Sequence, residues 1–178
     1  MTQTPLFRDR RDAGRALAAR LAHYRGRDPL VLGLPRGGVV VAAEVARRLG
    51  ADLDVVVARK LGSPISPELA IGAVTAGGDR FLNEDLIEEL GVSQAYLNAA
   101  TAARSVLEQR PARLVVAVPV GSREACAAMR GEADEVVCLH QPTYFGAVGS
   151  FYLDFEQTED EDVRRLLDEL APAHAPYA

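Results

Sequence analysis

At 178 residues the chain has the length of a single domain, which can bury about two thirds of its unfolded surface and so build a real core. A formal charge of -5 with no basic stripe gives no footing for nucleic-acid binding, and no apolar run is long enough to span a membrane. Cys126 and Cys138 have a spacing that fits neither a zinc site nor a redox pair. They read as reduced core thiols, and with an N-terminus lacking the basic-then-apolar order of a signal peptide they point to the cytoplasm.

In chain order, Asp9 is positioned to cap a first helix carrying Ala13, Ala16, Leu17 and Leu21 at helical spacing. Arg8, Arg10 and Arg11 sit among acids there and read as a solvated helix face. Leu30 to Leu34 is a short buried strand. Val39 to Leu49 is a helix stopped by Gly50, and Leu53 to Ala58 a second buried strand. The stretch RKLGSPISPE reads as a loop, and LAIGAVTAGGDRFLN as a β-hairpin turning at 76–78. Helices are expected near 84–90 and 93–110, then a strand at Leu114 to Val118, a helix at Ser122 to Arg130, a strand at Glu135 to Leu139 and a closing helix at Glu159 to Leu170. Apolar strands alternating with helices predict an α/β fold, mainly a parallel sheet flanked by helices, with the hairpin as a small insertion. The whole of 1–178 is expected to form one domain, with 141–178 as an aromatic C-terminal segment and closing helix.

Ligands in such sheets bind at the carboxyl ends of strands, which draws attention to Pro35-Arg36-Gly37-Gly38. A helix start presents unpaired N–H groups and the positive end of the helix dipole. Gly37 and Gly38 leave that backbone open to a ligand, and Arg36 adds a forked cation suited to phosphate. Together they can make an anion site; the plainer alternative is a tight connection with a solvated arginine. The turn lacks both the Gly-Lys-Ser/Thr ending of a Walker loop and the dinucleotide fingerprint. Arg59 and Lys60 close the next predicted strand on the same rim, either as two further phosphate-binding cations or as a snorkelled pair. The Gly- and Pro-containing loop after Lys60 suits a mobile lid.

The segment VLGLPRGGVVVAAEVARRLGADLDVVVARKLGSPISPELAIGAV, with LVVAVPVGS and FGAVGSFYLDFEQTEDEDVRRLL further on, resembles the bacterial phosphoribosyltransferases of the type I fold. The resemblance covers most of the chain from Phe7 to Leu170. It implies that the turn at Arg36, Gly37 and Gly38 holds the pyrophosphate of phosphoribosyl pyrophosphate, and that Arg59 and Lys60 open a flexible loop closing over the substrate. It further implies displacement of pyrophosphate from ribose C1 by a nitrogen base, usually with Mg²⁺, and hence a place in nucleotide metabolism.

One part of that pattern is missing. Type I enzymes carry two adjacent acids at the end of an apolar strand, followed by an Ala-Thr-Gly-x-Thr loop entering a helix, to hold the ribose hydroxyls and the 5'-phosphate. Here Glu84-Asp85, Glu88-Glu89, Asp134-Glu135, Glu159 to Asp162 and Asp168-Glu169 all lack that context. Only Pro111, Ala112 and Arg113 stand where the unit is expected, and a strand, loop and helix need about 30 residues or more. The sheet is therefore expected to be short of one strand-loop-helix unit. A rearranged sheet, a partner chain covering the gap, and a segment of the natural protein absent from this sequence all remain open. A homodimer would shield the exposed edge.

Among the late aromatics, Phe145 and Tyr152 could stack on a base; an aromatic mini-core with Tyr144, Phe151 and Phe155 is the plainer reading. Asp154 suits a turn better than a base edge. His140, with no paired carboxylate in sequence, reads as structural rather than as a base. Glu68 starts an element or reaches ligand or Mg²⁺, and Pro64 and Pro67 stiffen their loop. No catalytic residue and no protein metal ligand is assigned. Two readings follow: a phosphoribosyltransferase binding phosphoribosyl pyrophosphate or pyrophosphate and using a nucleobase-like acceptor, or a non-catalytic phosphate-ligand-binding or regulatory protein on the same scaffold.

Overall fold

The computed structural model describes residues 5–56, 60–62, 70–74, 80–82 and 94–171, with side chains over 5–56 and 98–171. In chain order the elements are α1 (Arg10–Arg20), β1 (Leu30–Gly33), α2 (Gly37–Leu49), β2 (Asp52–Val55), β3 (Lys60–Gly62), β4 (Ala70–Val74), β5 (Arg80–Leu82), α3 (Gln94–Leu107), β6 (Val115–Val120), α4 (Arg123–Met129), β7 (Glu135–His140) and α5 (Asp160–Leu170). The chain divides into two compact units. One comprises Met1–Val55, Ala117–Ser122 and Cys138–Ala178; the other comprises Val56–Val116 and Arg123–Val137.

In the first unit, α1 begins where its cap predicts. The Asp9 carboxylate accepts from the Asp12 N–H at 2.7 Å, satisfying one of the donors a helix start leaves unpaired. Ala13, Gly14, Leu17 and Ala18 form its buried stripe, and α1 packs on α2. The helices come close because Gly14 carries no side chain. A Cβ there would lie 2.7 Å from the Val41 carbonyl oxygen and 2.8 Å from Glu44 Cβ. Strands β1 and β2 pair in parallel, Leu30 opposite Asp52 through Gly33 opposite Val55, with α2 as the crossover.

Val39, Ala42, Ala43, Ala46, Leu53 and Leu166 are buried together, and Val31, Val55, Val163 and Leu167 pack against them. Helix α5 closes on α2 and β2. It starts with a reciprocal cap in which the Glu159 N–H donates to Asp162 Oδ2 at 3.3 Å. Near its end Glu169 accepts a fork from Arg47, Nε to Oε1 and Nη2 to Oε2, both 2.8 Å. A second core gathers Phe7, Ala13, Val120, Phe151 and Tyr152. The chain entering α1 is tied there by backbone bonds: Phe7 N–H to Phe151 O (3.1 Å), Leu153 N–H to Phe7 O (2.9 Å) and Asp154 N–H to Arg8 O (2.8 Å).

In the second unit β3, β4 and β5 form an antiparallel sheet, Lys60 opposite Ala73 and Ala73 opposite Phe81. The predicted hairpin is thus β4–β5, its turn lying outside the described residues. Lys60–Gly62, expected to begin a loop, is instead the third strand, because β4 has a free edge to accept it. Arg104 on α3 forks onto Glu132, Nε at 3.0 Å and Nη2 at 2.5 Å. The helix expected near 84–90 lies outside the described residues.

Helix α3 ends at Leu107 and unwinds through Gln109 N–H to Val106 O (3.0 Å) and Arg110 N–H to Leu107 O (2.9 Å). Arg110 adopts φ 52°, and the Leu114 N–H then reaches Asp134 Oδ2 at 2.7 Å before β6 begins. A turn, with no strand, loop and helix, joins α3 to β6. Among the described residues the strands form three separate sheets, β1–β2, β3–β4–β5 and β6–β7. The α/β class stands, in short sheets.

Candidate anion-binding site

The strand-to-helix turn lies within the first unit, between β1 and α2. Helix α2 starts at Gly37, two residues before the apolar segment that predicted it. Arg36 therefore occupies the cap position, with φ -93° and ψ -48°, and no side chain caps the helix. The Pro35–Arg36 peptide is cis. The Val39 N–H returns to the Arg36 carbonyl at 3.1 Å. With that bond made and no side-chain cap, the N–H groups of Gly37 and Gly38 are the ones this helix start leaves for another acceptor. The Arg36 side chain is 44% exposed, and its Nη1 lies 3.6 Å from Oδ1 of the more exposed Asp160 at the start of α5. An exposed pair at this distance contributes about 0–1 kcal/mol, so parting it costs the chain little.

The sequence missed the residue closest to this turn. Arg10, taken as part of a solvated face, lays its guanidinium against Gly37. A Cβ on Gly37 would meet Arg10 Nε at 2.5 Å and Cζ and Nη2 at 3.2 Å. The guanidinium also lies over the Phe155 ring, 3.8 Å from its centroid, and Nη1 donates to the Glu156 carbonyl at 2.6 Å. Burial draws its pKa down from the usual value, against the opposing influence of Tyr152 and Asp154; an arginine nevertheless stays charged. The neighbouring arginines do face acids, Arg11 to Glu44 at 3.5 Å and Arg8 to Asp9 at 3.8 Å. What separates Arg10 from them is Phe155, 145 positions away, which no local pattern reveals.

The other expected site residues fall as follows. Arg59 lies outside the described residues. Lys60 opens β3, and its side chain is likewise not described; Pro64, Pro67 and Glu68 are outside them too. Phe145 stacks on Phe151 with ring centroids 5.6 Å apart, and Tyr152 is 8% exposed between Phe7 (5.6 Å) and Phe155 (5.0 Å). Both rings thus have partners within the chain. Burial pushes the Tyr152 phenol above its usual pKa, with Arg10 pulling the other way. Asp154 makes a turn, its Oδ1 accepting from the Glu156 N–H at 3.1 Å. His140 ends β7 with its ring edge-on to Phe7 at 5.5 Å. Cys126 is buried and Cys138 half-buried, neither in a disulfide, and the Cys138 thiol donates to the His140 carbonyl at 3.2 Å.

No family model matches the chain. Two curated proteins, from two strains of Mycobacterium tuberculosis and each provisionally named phosphoribosyl transferase, are 39% identical to it over 97% of its length. Over nearly its whole length this chain is a relative of those phosphoribosyl transferases. It spans about half the length of these curated relatives, 48%. A crystal structure of TT1426 from Thermus thermophilus is 41% identical, with a TM-score of 0.70, covering 93% of this chain and 99% of that one.

The curated alignment is also longer than the part of the chain it matches. It runs over 216 positions, whereas 97% of 178 residues is about 173, so about 43 of its positions have no residue in this chain. That number is on the scale of one strand-loop-helix unit, and in this chain a turn joins α3 to β6.

Proposed function

We propose that this chain binds the pyrophosphate end of phosphoribosyl pyrophosphate, or pyrophosphate itself, at the turn formed by Arg36, Gly37 and Gly38. The observation that carries this reading is the uncapped start of α2 with Arg36 at its cap position, in a chain of phosphoribosyltransferase kinship. Arg59 and Lys60, which the family resemblance assigns to a loop closing over the substrate, would add charge, and a nucleobase-like acceptor would take the phosphoribosyl group. In that transfer the bond from ribose C1 to the pyrophosphate oxygen breaks, pyrophosphate leaves with the electron pair, and a bond from C1 to a base nitrogen forms as the nitrogen's proton passes to solvent. Cations and backbone N–H groups at the turn would neutralise the leaving charge.

Mg²⁺ would supply further neutralisation of that charge. Among the described residues no group of three or more His, Cys, Asp or Glu side chains could hold a metal. They offer no protein cage, and Mg²⁺ would arrive on the ligand's phosphates, its common mode of binding.

A second reading rests on the turn at 108–114 that replaces the strand-loop-helix unit. Without the acids and loop for ribose and 5'-phosphate, the chain keeps only the pyrophosphate half of the site and acts as a non-catalytic phosphate-ligand-binding or regulatory protein. Incubating the protein with phosphoribosyl pyrophosphate, Mg²⁺ and a panel of nucleobases, and following pyrophosphate release, separates the two. Base-dependent release supports transfer. Absence of release with every base, from protein that binds pyrophosphate, supports the half-site.

A further inference from the structure

The cation that the sequence assigned to solvent is held at the proposed site by a ring and a carbonyl. Arg10 has no carboxylate within ion-pair distance among the described residues, although the arginines on either side of it do. Its guanidinium lies over the Phe155 ring at 3.8 Å, and among the described residues one of its five donors is used, by the Glu156 carbonyl at 2.6 Å. The edge carrying Nε and Nη2 lies against Gly37. That edge is the half of a guanidinium that grips two oxygens of one phosphate.

The electrostatics of the placement are unfavourable for the protein alone. The positive end of the α2 dipole, Arg36 and Arg10 converge on one turn, and among the described residues only the exposed Asp160 offsets them by a direct ion pair. Asp154 acts on Arg10 without a direct ion pair, so the cost of its partial burial is offset only in part. An oxyanion at the turn relieves all three at once, and a guanidinium already fixed by stacking loses little freedom in binding it.

We propose that Arg10 is a phosphate-binding residue of the Arg36–Gly38 turn, contacting one phosphoryl group of the ligand through its Nε and Nη2 edge, with Phe155 as its positioning residue. This rests on the reading of the turn as a pyrophosphate site. It also gives Gly37 a second reason to lack a side chain: the space is needed by Arg10.

The test is calorimetric titration of the full chain with pyrophosphate at several salt concentrations, on wild type, Arg10→Gln, Arg10→Lys, Phe155→Leu and Arg36→Gln, with the melting temperature of each. Arg10→Gln is expected to weaken binding about tenfold and to flatten the dependence of affinity on salt. Arg10→Lys should restore the salt dependence without restoring the affinity, because lysine has no fork. Phe155→Leu, at a position 42% exposed and so tolerant of change, should weaken binding several-fold with Arg10 intact. Variants that melt earlier but keep wild-type affinity and salt dependence would make Arg10 purely structural and overturn the proposal. Loss of binding in Arg36→Gln alone would overturn it while leaving the turn as the site. Absence of binding by wild type would overturn both.

Discussion

Gly37→Ala tests whether Arg10 and the turn are one packed unit. The new methyl group would sit 2.5 Å from Arg10 Nε, well inside contact distance, so the guanidinium must move. Moving it gives up the stack on Phe155, about 0.5–1 kcal/mol at an exposed site. It also gives up a charged hydrogen bond to Glu156 O, about 1.5–3 kcal/mol. Arg10 is only partly buried, which places the sum at its lower end, about 2 kcal/mol. Alanine offsets about 0.4–1 kcal/mol of this by restricting the unfolded chain. The net expectation is a loss of about 1–2 kcal/mol. In an Arg10→Ala background the space is free, and the same change should be neutral or slightly stabilising. Urea denaturation of wild type, both single variants and the double variant gives the coupling directly. A coupling of about 2 kcal/mol is expected; equal effects of Gly37→Ala in both backgrounds would refute the packing of Arg10 against the turn.

Two further predictions concern pH. The Arg47 hydrogen bonds and charge hold the Glu169 carboxyl below its usual value, with Arg11 and Arg165 assisting, and Glu169 in turn raises Arg47. The unfolded chain therefore takes up this proton at a higher pH than the folded one. The pair's contribution is fully present above the ordinary glutamate range and is lost as pH falls through the folded value. Glu169→Gln should remove that acid-dependent part, and an unchanged acid limb in the variant's pH–stability profile would contradict the fork between α2 and α5. The Tyr152 phenol is raised by burial, so it holds its proton when folded and loses it more readily when unfolded. Its contribution should fall away as pH rises past the ordinary tyrosine value of about 10. Tyr152→Phe should flatten the alkaline limb, and a phenolate titrating at the ordinary value in the folded protein would show the ring to be exposed.

Much of the fold was legible because its signals are local. Asp9 caps α1 through a side chain three residues from its donor, and Gly50 ends α2 with φ 66°. The alternation of short apolar runs with helices gave the α/β class and the parallel β1–β2 pair. The empty stretch between Gln109 and Leu114 was also legible, since too few residues stand there for a strand, loop and helix. What escaped depends on long-range contact. Lys60–Gly62 looks like loop because Gly62 and Pro64 are turn residues, yet pairing with β4 makes Lys60–Gly62 a strand. Arg10 looks like one of three surface arginines until Phe155 and Gly37 are beside it. The turn itself was recognised from its glycines and Arg36, and its ion pair with Asp160 was not, because 124 positions separate them.

The central claim is that the Arg36–Gly38 turn of this chain binds pyrophosphate, alone or as the end of phosphoribosyl pyrophosphate. Isothermal titration with pyrophosphate and with phosphoribosyl pyrophosphate, with and without Mg²⁺, on protein whose intact mass matches the 178-residue sequence, tests it directly. Binding of both ligands, weakened by Arg36→Ala, is the predicted result, and equal affinity for the two would support the half-site reading. Much tighter binding of the sugar phosphate would reveal a ribose-phosphate site built from other residues, and absence of binding to either would contradict the assignment of the turn.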